Sequence, residues 1–350
     1  MYVNEKIANT FRVPQPEGRA RYLRLDQNEN PVGIPKWLFD QVINKITPEF
    51  LAIYPEETKL TDIYAEKFNL DPSSVTLTDG SVVGMGYIIK VFGEPGKNLL
   101  CVTPTFGMYK VYAEMEGMNV IQFRYGSNFS FDVDTLIQSI DDKTGIVALV
   151  NPNMPVGNAY QQSDILKIVQ KAKEHNAYVI IDEAYYYFHE EDSLSIQEKY
   201  DNVFILRTFS KMLSIPALRL GVIISSKKNI GYINNYKPHY TVNSIALLFG
   251  EAIIRNHEKC VEELYLNFKK NREWLIEKLN QCSYEYIDSK GCFLCVKPKV
   301  RSARELTDKL RENNILVLCG SGDLSEYIRV SIVDISILEI FFNKLLDLDD

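Results

Sequence analysis

The chain is 350 residues long, enough for a substantial core divided between one large and one smaller domain. Its 46% hydrophobic and 24% charged residues are ordinary for a globular protein, and a net charge of −7 leaves no electrostatic footprint for nucleic acid or an anionic membrane surface. No apolar run approaches the roughly 18 residues of a membrane span, and MYVNEKIANTFR does not read as a signal peptide, so the expected location is the cytoplasm.

Residues 1–45 are expected to form an N-terminal arm and part of a small domain. From about residue 60, helical and extended stretches alternate. LTDIYAEKFN reads as a helix, SVTLTDG as a short strand and turn, and SVVGMGYIIKVFG as a second helix. NLLCVTP is a buried strand and TFGMYKVYAEMEG a helix. NVIQFRY, GIVALVN and AYVIIDEAY follow as strands, the last two separated by the amphipathic helix QQSDILKIVQKAKEHN. VFILRTFS and LGVIISS complete the set. Short continuous apolar strands between helices predict an α/β sheet that is covered on both faces and largely parallel. This large domain is placed at residues 46–250. Beyond it, long charged helices alternate with shorter strands, which predicts a smaller α+β domain over 251–350.

The six cysteines are scattered, which points to reduced thiols rather than a disulfide framework. Cys292 and Cys295 form a C-x-x-C, but GCFLCVKP reads as a buried strand and no second Cys/His pair follows. They are expected to be core cysteines, and no metal site is expected.

In an open α/β sheet, ligands bind where loops leave the carboxyl ends of strands. Those loops are TDGS (78–81), TPTFGMY (103–109), NPNMPVG (151–157), DEAY (182–185) and RTFSKMLSIPALRLG (207–221). They converge a lysine, a carboxylate, an aromatic ring, a tyrosine and an arginine on one rim. A lysine beside hydroxyls and an arginine can form a Schiff base while its neighbours hold a phosphate. A carboxylate opposite suits a pyridinium nitrogen. Together these groups describe a pocket for pyridoxal 5′-phosphate.

With these motifs in order, the chain resembles the fold-type I pyridoxal-phosphate enzymes of the class I/II aminotransferases, and within them the histidinol-phosphate aminotransferase group. DQNENPVGIP resembles that family's N-E-N-P motif and IYPEE its tyrosine–proline turn; TPTFGMY, NPNMPVG, IDEAYYYF, RTFSKMLSIPALRLG and IRVS follow at the expected intervals. The resemblance implies a large domain with a mostly parallel, seven-stranded sheet between helices. It makes Lys211 the lysine that binds the cofactor and shuttles the substrate's Cα proton. It implies that Asp182 pairs with the pyridine nitrogen, Tyr185 with the 3′ oxygen, and that Phe106 stacks on the ring. Thr208, Ser210 and Arg219 would hold the phosphate with the backbone N–H groups of Gly80, Ser81 and Val82. Tyr54 would reach the phosphate of a neighbouring subunit in a homodimer with shared sites. Arg329 would grip the substrate carboxylate, and Asn30 is placed with the substrate.

Four departures from the family pattern stand out. Met154 stands where an asparagine usually bonds the 3′ oxygen, and Val156 where a threonine follows. Val82 and Val83 replace acidic residues after Gly80-Ser81. Leu318 replaces an arginine that helps recognise histidinol phosphate, so that compound is not expected as the substrate. The reading is therefore an aminotransferase with a small amino donor, possibly phosphorylated, and a keto acceptor. The alternatives are a decarboxylase of an amino-acid phosphate on the same scaffold, and a non-catalytic cofactor-binding relative. For Met154 two placements stay open: lining the cofactor, or filling a gap in the core.

Overall fold

Leu23–Arg24 (β1) runs parallel to Ile315–Leu316 (β11), so the start of the described chain is stitched to its far end. The structure is a computed structural model and describes residues 3, 5–8, 17–189 and 191–349. Residues 1, 2, 4 and 9–16 of the expected arm lie outside the described residues.

The larger sheet has seven strands: Val75–Thr78 (β2), Asn98–Thr103 (β3), Asn119–Arg124 (β4), Thr144–Val150 (β5), Tyr178–Asp182 (β6), Val203–Thr208 (β7) and Gly221–Ile224 (β8). Their order is β2-β8-β7-β6-β5-β3-β4. The five strands from β4 to β7 pair in parallel, while β8 is antiparallel to both β7 and β2. Every residue of β2, β7 and β8 is buried, as continuous apolar runs require when helices cover both faces. The exception is β4, where Asn119, Ile121, Gln122 and Arg124 are exposed. It is one of the two edge strands, and its polar and charged residues disfavour pairing with another chain. The helix Gln162–Glu174 buries Ile165, Ile168, Val169 and Ala172, which is the helical period read from the sequence.

The smaller sheet is antiparallel. It contains Glu285–Ile287 (β9), Phe293–Lys297 (β10), Leu318–Cys319 (β12) and Ile328–Ser331 (β13), in the order β12-β13-β10-β9. Helices Ala303–Glu312 and Ile335–Asp349 supply Leu306, Leu310, Leu338, Phe341 and Leu345 to its core. Ser302 starts the first of these by accepting a hydrogen bond from the Glu305 N–H at 3.2 Å.

Two packing details differ from the expected division at residues 45 and 250. The helix Lys36–Ile43 buries Leu38 and Val42 in the larger core, against the helix Ser244–Arg255. The 25-residue helix His257–Gln281 places Cys260 and Leu264 in that same core, then Leu275 and Leu279 in the smaller one. The two cores therefore meet inside an uninterrupted helix. Its change of apolar partner carries no glycine or proline signal.

Candidate active site

The carboxyl ends of β6 and β7 open on a cavity of about 390 Å³. Ten of the residues expected to meet cofactor or substrate line it: Ser81, Val82, Phe106, Asp182, Tyr185, Thr208, Ser210, Lys211, Arg219 and Arg329. Lys211 follows the turn after β7, and its amine donates to the Gln27 carbonyl at 2.9 Å. Burial, assisted by the nearby Arg329 charge, lowers its pKa from the ordinary 10.5. More of the amine is then neutral and nucleophilic near pH 7.

Asp182 ends β6 and faces the same cavity. Its carboxylate accepts from the Tyr109 hydroxyl at 3.0 Å and from the Ala184 N–H at 3.1 Å. Burial outweighs both bonds and pushes its pKa up to about 6. The Tyr185 hydroxyl accepts from the Asn28 side-chain amide at 2.8 Å, so its own proton is left for another acceptor.

A second group of donors lies where the helix Ser81–Phe92 begins. The Gly80 N–H, expected among the phosphate donors, donates to the Thr78 carbonyl at 2.8 Å. The N–H groups of Ser81 and Val82 open the first helical turn, where no helix carbonyl can reach them. Gly80 contributes by lacking a side chain: at φ 83°, a Cβ there would stand 2.4 Å from Arg219 Nη2. The guanidinium can therefore lie directly over the helix start. Thr208 Oγ1 accepts from the Ser210 N–H at 3.1 Å, fixing the turn that carries both hydroxyls and Lys211.

Arg329, on β13, forms the remaining wall. Its Nη2 donates to the Asp26 carbonyl at 2.5 Å and its Nη1 points at the Met154 sulfur at 2.8 Å. Its Nε is buried without a hydrogen-bond partner among the described residues. A thioether is a weak acceptor, so much of this guanidinium's donor capacity remains for an anion. Met154 thus lines the cavity and also packs beside Tyr185, Cys292 and Phe293. Asn153 cannot take over the role of the family's asparagine. Its amide donates to the Pro104 carbonyl and the Tyr125 hydroxyl and accepts from Thr105, all on the far side of the loop.

Besides Gly80, two expected site residues lie outside the lining of this cavity. Asn30 spends its amide on the Gly33 carbonyl and the Ser214 hydroxyl, and lines a neighbouring cavity instead. Lys211, Asn28 and Glu29 line that cavity as well as the first. Tyr54 is 76% exposed, stacked on Tyr240, and absent from the lining of this cavity. Conversely, Gln27, Asn28 and Tyr109 act on the site without having been singled out. Asn28 and Tyr109 sit inside the quoted DQNENP and TPTFGMY motifs, but nothing local distinguishes an asparagine that meets Tyr185, 157 residues away, from its neighbour two positions on. Cys292 and Cys295 are buried free thiols, pushed up to about 11 and about 12 by burial, as core cysteines are.

The cavity offers an amine, a buried carboxylate, open helix N–H groups beside an arginine, and an aromatic wall. That donor set matches the carbonyl, ring nitrogen, phosphate and ring face of pyridoxal phosphate. The sequence pattern of the family "Aminotransferase class I and II" matches residues 21–345. The chain belongs to the class I and II aminotransferases. The histidinol-phosphate aminotransferase of Clostridium kluyveri is 30% identical over 314 residues, covering 89% of this chain and 88% of that protein. Its counterpart from Thermococcus kodakarensis is 30% identical over 318 residues, covering 90% and 89%. The fold is that of the Sinorhizobium meliloti histidinol-phosphate aminotransferase, solved with pyridoxal-5′-phosphate (TM-score 0.88, 17% identity, 99% of this chain and 98% of that one). This aminotransferase accordingly uses pyridoxal phosphate to move an amino group from a donor to a keto acceptor. The alternative of a decarboxylase gains no support, since each of these relatives is named an aminotransferase.

Proposed function

We propose that this aminotransferase acts on a small amino compound bearing one anionic group, and that histidinol phosphate is not its preferred donor. The observation that carries this reading is the pairing of Leu318 with Arg329 across β12 and β13. Leu318, 43% exposed, puts an apolar side chain beside the only lining cation that the cofactor does not claim. When bound, pyridoxal phosphate supplies the electron sink for the substrate's Cα and carries the amino group between the two half-reactions.

The chain's own residues do the rest. Lys211 Nζ is the attachment point and the base that takes the Cα proton. Asp182 holds a proton on the ring nitrogen, and Tyr185 donates to the 3′ oxygen without help from position 154. Phe106 packs on the ring face. Ser81 and Val82 N–H groups, the Thr208 and Ser210 hydroxyls and Arg219 hold the phosphate. Arg329 turns from the Met154 sulfur to the substrate's anionic group, which fixes Cα beside Lys211.

A panel of ¹⁵N-labelled amino acids and amino-alcohol phosphates, with nitrogen transfer to a keto acid and carbon dioxide release both measured, tests this reading. Histidinol phosphate should be about tenfold to more than hundredfold poorer than the best donor, the cost of one missing charged hydrogen bond. Comparable turnover of histidinol phosphate would reject the substrate assignment.

The exposed Tyr54 and Tyr240, with Leu51 and Ile53 exposed beside them, support a homodimer in which Tyr54 completes the partner's phosphate site. Tyr54→Ala and Lys211→Ala should each be severely impaired alone. Dissociated, mixed and reassociated, they should recover activity, because one site of the mixed dimer holds both native residues. No recovery, or a fully active monomer in sedimentation at assay concentration, would rule out the shared site.

A further inference from the structure

The side of the sheet facing away from the cavity carries a buried ion pair that the chemistry does not use. Glu183 directly follows Asp182, and Arg207 directly precedes Thr208. Strand alternation therefore sends these two charges away from the cavity while their neighbours face it. Arg207 Nε donates to Glu183 Oε2 at 2.9 Å, and Nη2 lies 2.9 Å from the same oxygen and 3.3 Å from Asp192. The other Glu183 oxygen accepts from the Ser193 N–H at 2.6 Å. The guanidinium lies between two rings, Tyr186 at 4.0 Å and Phe68 at 5.0 Å. Both side chains are almost wholly buried, at 1% and 3% exposure. Between them the backbone ladder of β6 and β7 ends, with the Glu183 N–H donating to the Leu206 carbonyl at 2.8 Å. Beyond that bond, the ion pair joins the two strand ends.

We infer that Glu183 and Arg207 are positioning residues, clamping the two strand ends so that Asp182 and the Thr208–Ser210–Lys211 turn keep a fixed separation. This rests on the cofactor-site reading above, in which Asp182 meets one end of the cofactor ring system and the turn meets the other. A cofactor bound at both ends tolerates little change in that distance, and the planar fork of an arginine held between two rings has little freedom to change it.

Removing one partner leaves an uncompensated buried charge and destabilises strongly, whereas replacing both with apolar residues often does not. The decisive variant is therefore the double substitution Glu183→Leu with Arg207→Met, accompanied by Arg207→Lys, which keeps the charge and loses the fork. Three quantities are measured: melting of the cofactor-free protein, pyridoxal-phosphate affinity, and the pH midpoint of the bound cofactor's visible absorbance. The double variant should melt close to wild type yet bind the cofactor about tenfold or more weakly, as expected when groups holding a ligand at two ends are displaced by a fraction of an ångström. Its absorbance midpoint should move, with Arg207→Lys intermediate in both readouts. Wild-type affinity and midpoint in a folded double variant would overturn the inference. So would weaker binding with an unmoved midpoint, which reports general loosening, or failure of both variants to fold, which would make the pair a requirement of the fold alone. Borohydride fixation of the cofactor in the wild-type enzyme separates the two readings: labelling at any lysine other than Lys211 defeats the site assignment itself, whatever the variants show.

Discussion

Lys211→Ala should lower turnover by about 10⁴-fold or more, since a positioned acid–base group alone typically supplies about 10²–10⁴ and here the covalent attachment goes with it. The loss should be confined to chemistry. Among the described residues the Lys211 side chain makes one hydrogen bond, to the Gln27 carbonyl, and an apolar replacement removes a buried amine whose charge the site disfavours. The folded protein should therefore survive and still bind the cofactor non-covalently through the Arg219 side of the cavity. After borohydride treatment, wild-type digests should carry the cofactor on Lys211, and Lys211→Ala digests should carry none. Retained turnover within tenfold of wild type would remove Lys211 from the reaction.

Asp182→Asn should cut turnover by about a hundred- to a thousandfold, the usual effect of deleting one preorganised electrostatic partner. The same substitution should stabilise the cofactor-free protein at pH 7. Burial raises the Asp182 pKa from 3.8 to about 6, with Tyr109 and the Ala184 N–H pulling it down, Glu183 raising it and Lys211 lowering it less. Between those two values the folded chain holds a proton that the unfolded chain has released. Stability therefore falls as pH rises through the window from about 4 to about 6, by roughly 3 kcal/mol in total. An asparagine does not titrate, can accept from the Ala184 N–H with its one oxygen while its amide donates to the Tyr109 hydroxyl oxygen, and removes this slope. Denaturant unfolding of the cofactor-free proteins at pH 4, 5, 6 and 7 checks it. A wild-type slope that persists in Asp182→Asn would assign the proton to another group. The carboxylate is thus a charge kept in an apolar place, unfavourable until a cation arrives opposite it.

The parts of this site that were legible in the sequence are those whose function and local structure coincide. Asp182 ends an apolar run, Lys211 and Ser210 sit in a turn after another, and Gly80 precedes an amphipathic helix; each position is fixed by its own strand or helix. The seven-strand sheet was legible for the same reason, since buried strands read as unbroken apolar runs. What the sequence concealed depends on contacts between distant segments. Asn28 and Asn30 share a motif, yet only the fold directs Asn28 to Tyr185 and leaves Asn30 to its loop. Whether the Gly80 N–H is available depends on a bond to Thr78 that no residue type announces. Met154 could have pointed either way, and its orientation follows from Asn153 being held by Tyr125, Thr105 and Pro104. The position of the join between the cores was equally hidden, because a continuous helix gives no sign of where its partners change.

Residues 25–28 meet three separate parts of the chain at once. Gln27 receives Lys211, Asp26 receives Arg329, Asn28 donates to Tyr185, and Leu25 accepts from Ser331. The Asn28–Ser331 and Asp26–Arg329 contacts each span 303 residues. On the ribosome, the segment that floors the pocket waits for these partners until 303 further residues have been made. Loop closure over that distance is slow compared with the local pairing of β5, β6 and β7. The large sheet can therefore assemble on a nascent chain before the floor of the pocket meets β13, so the catalytic pocket closes only after the sheet that carries Asp182 and Lys211 has formed.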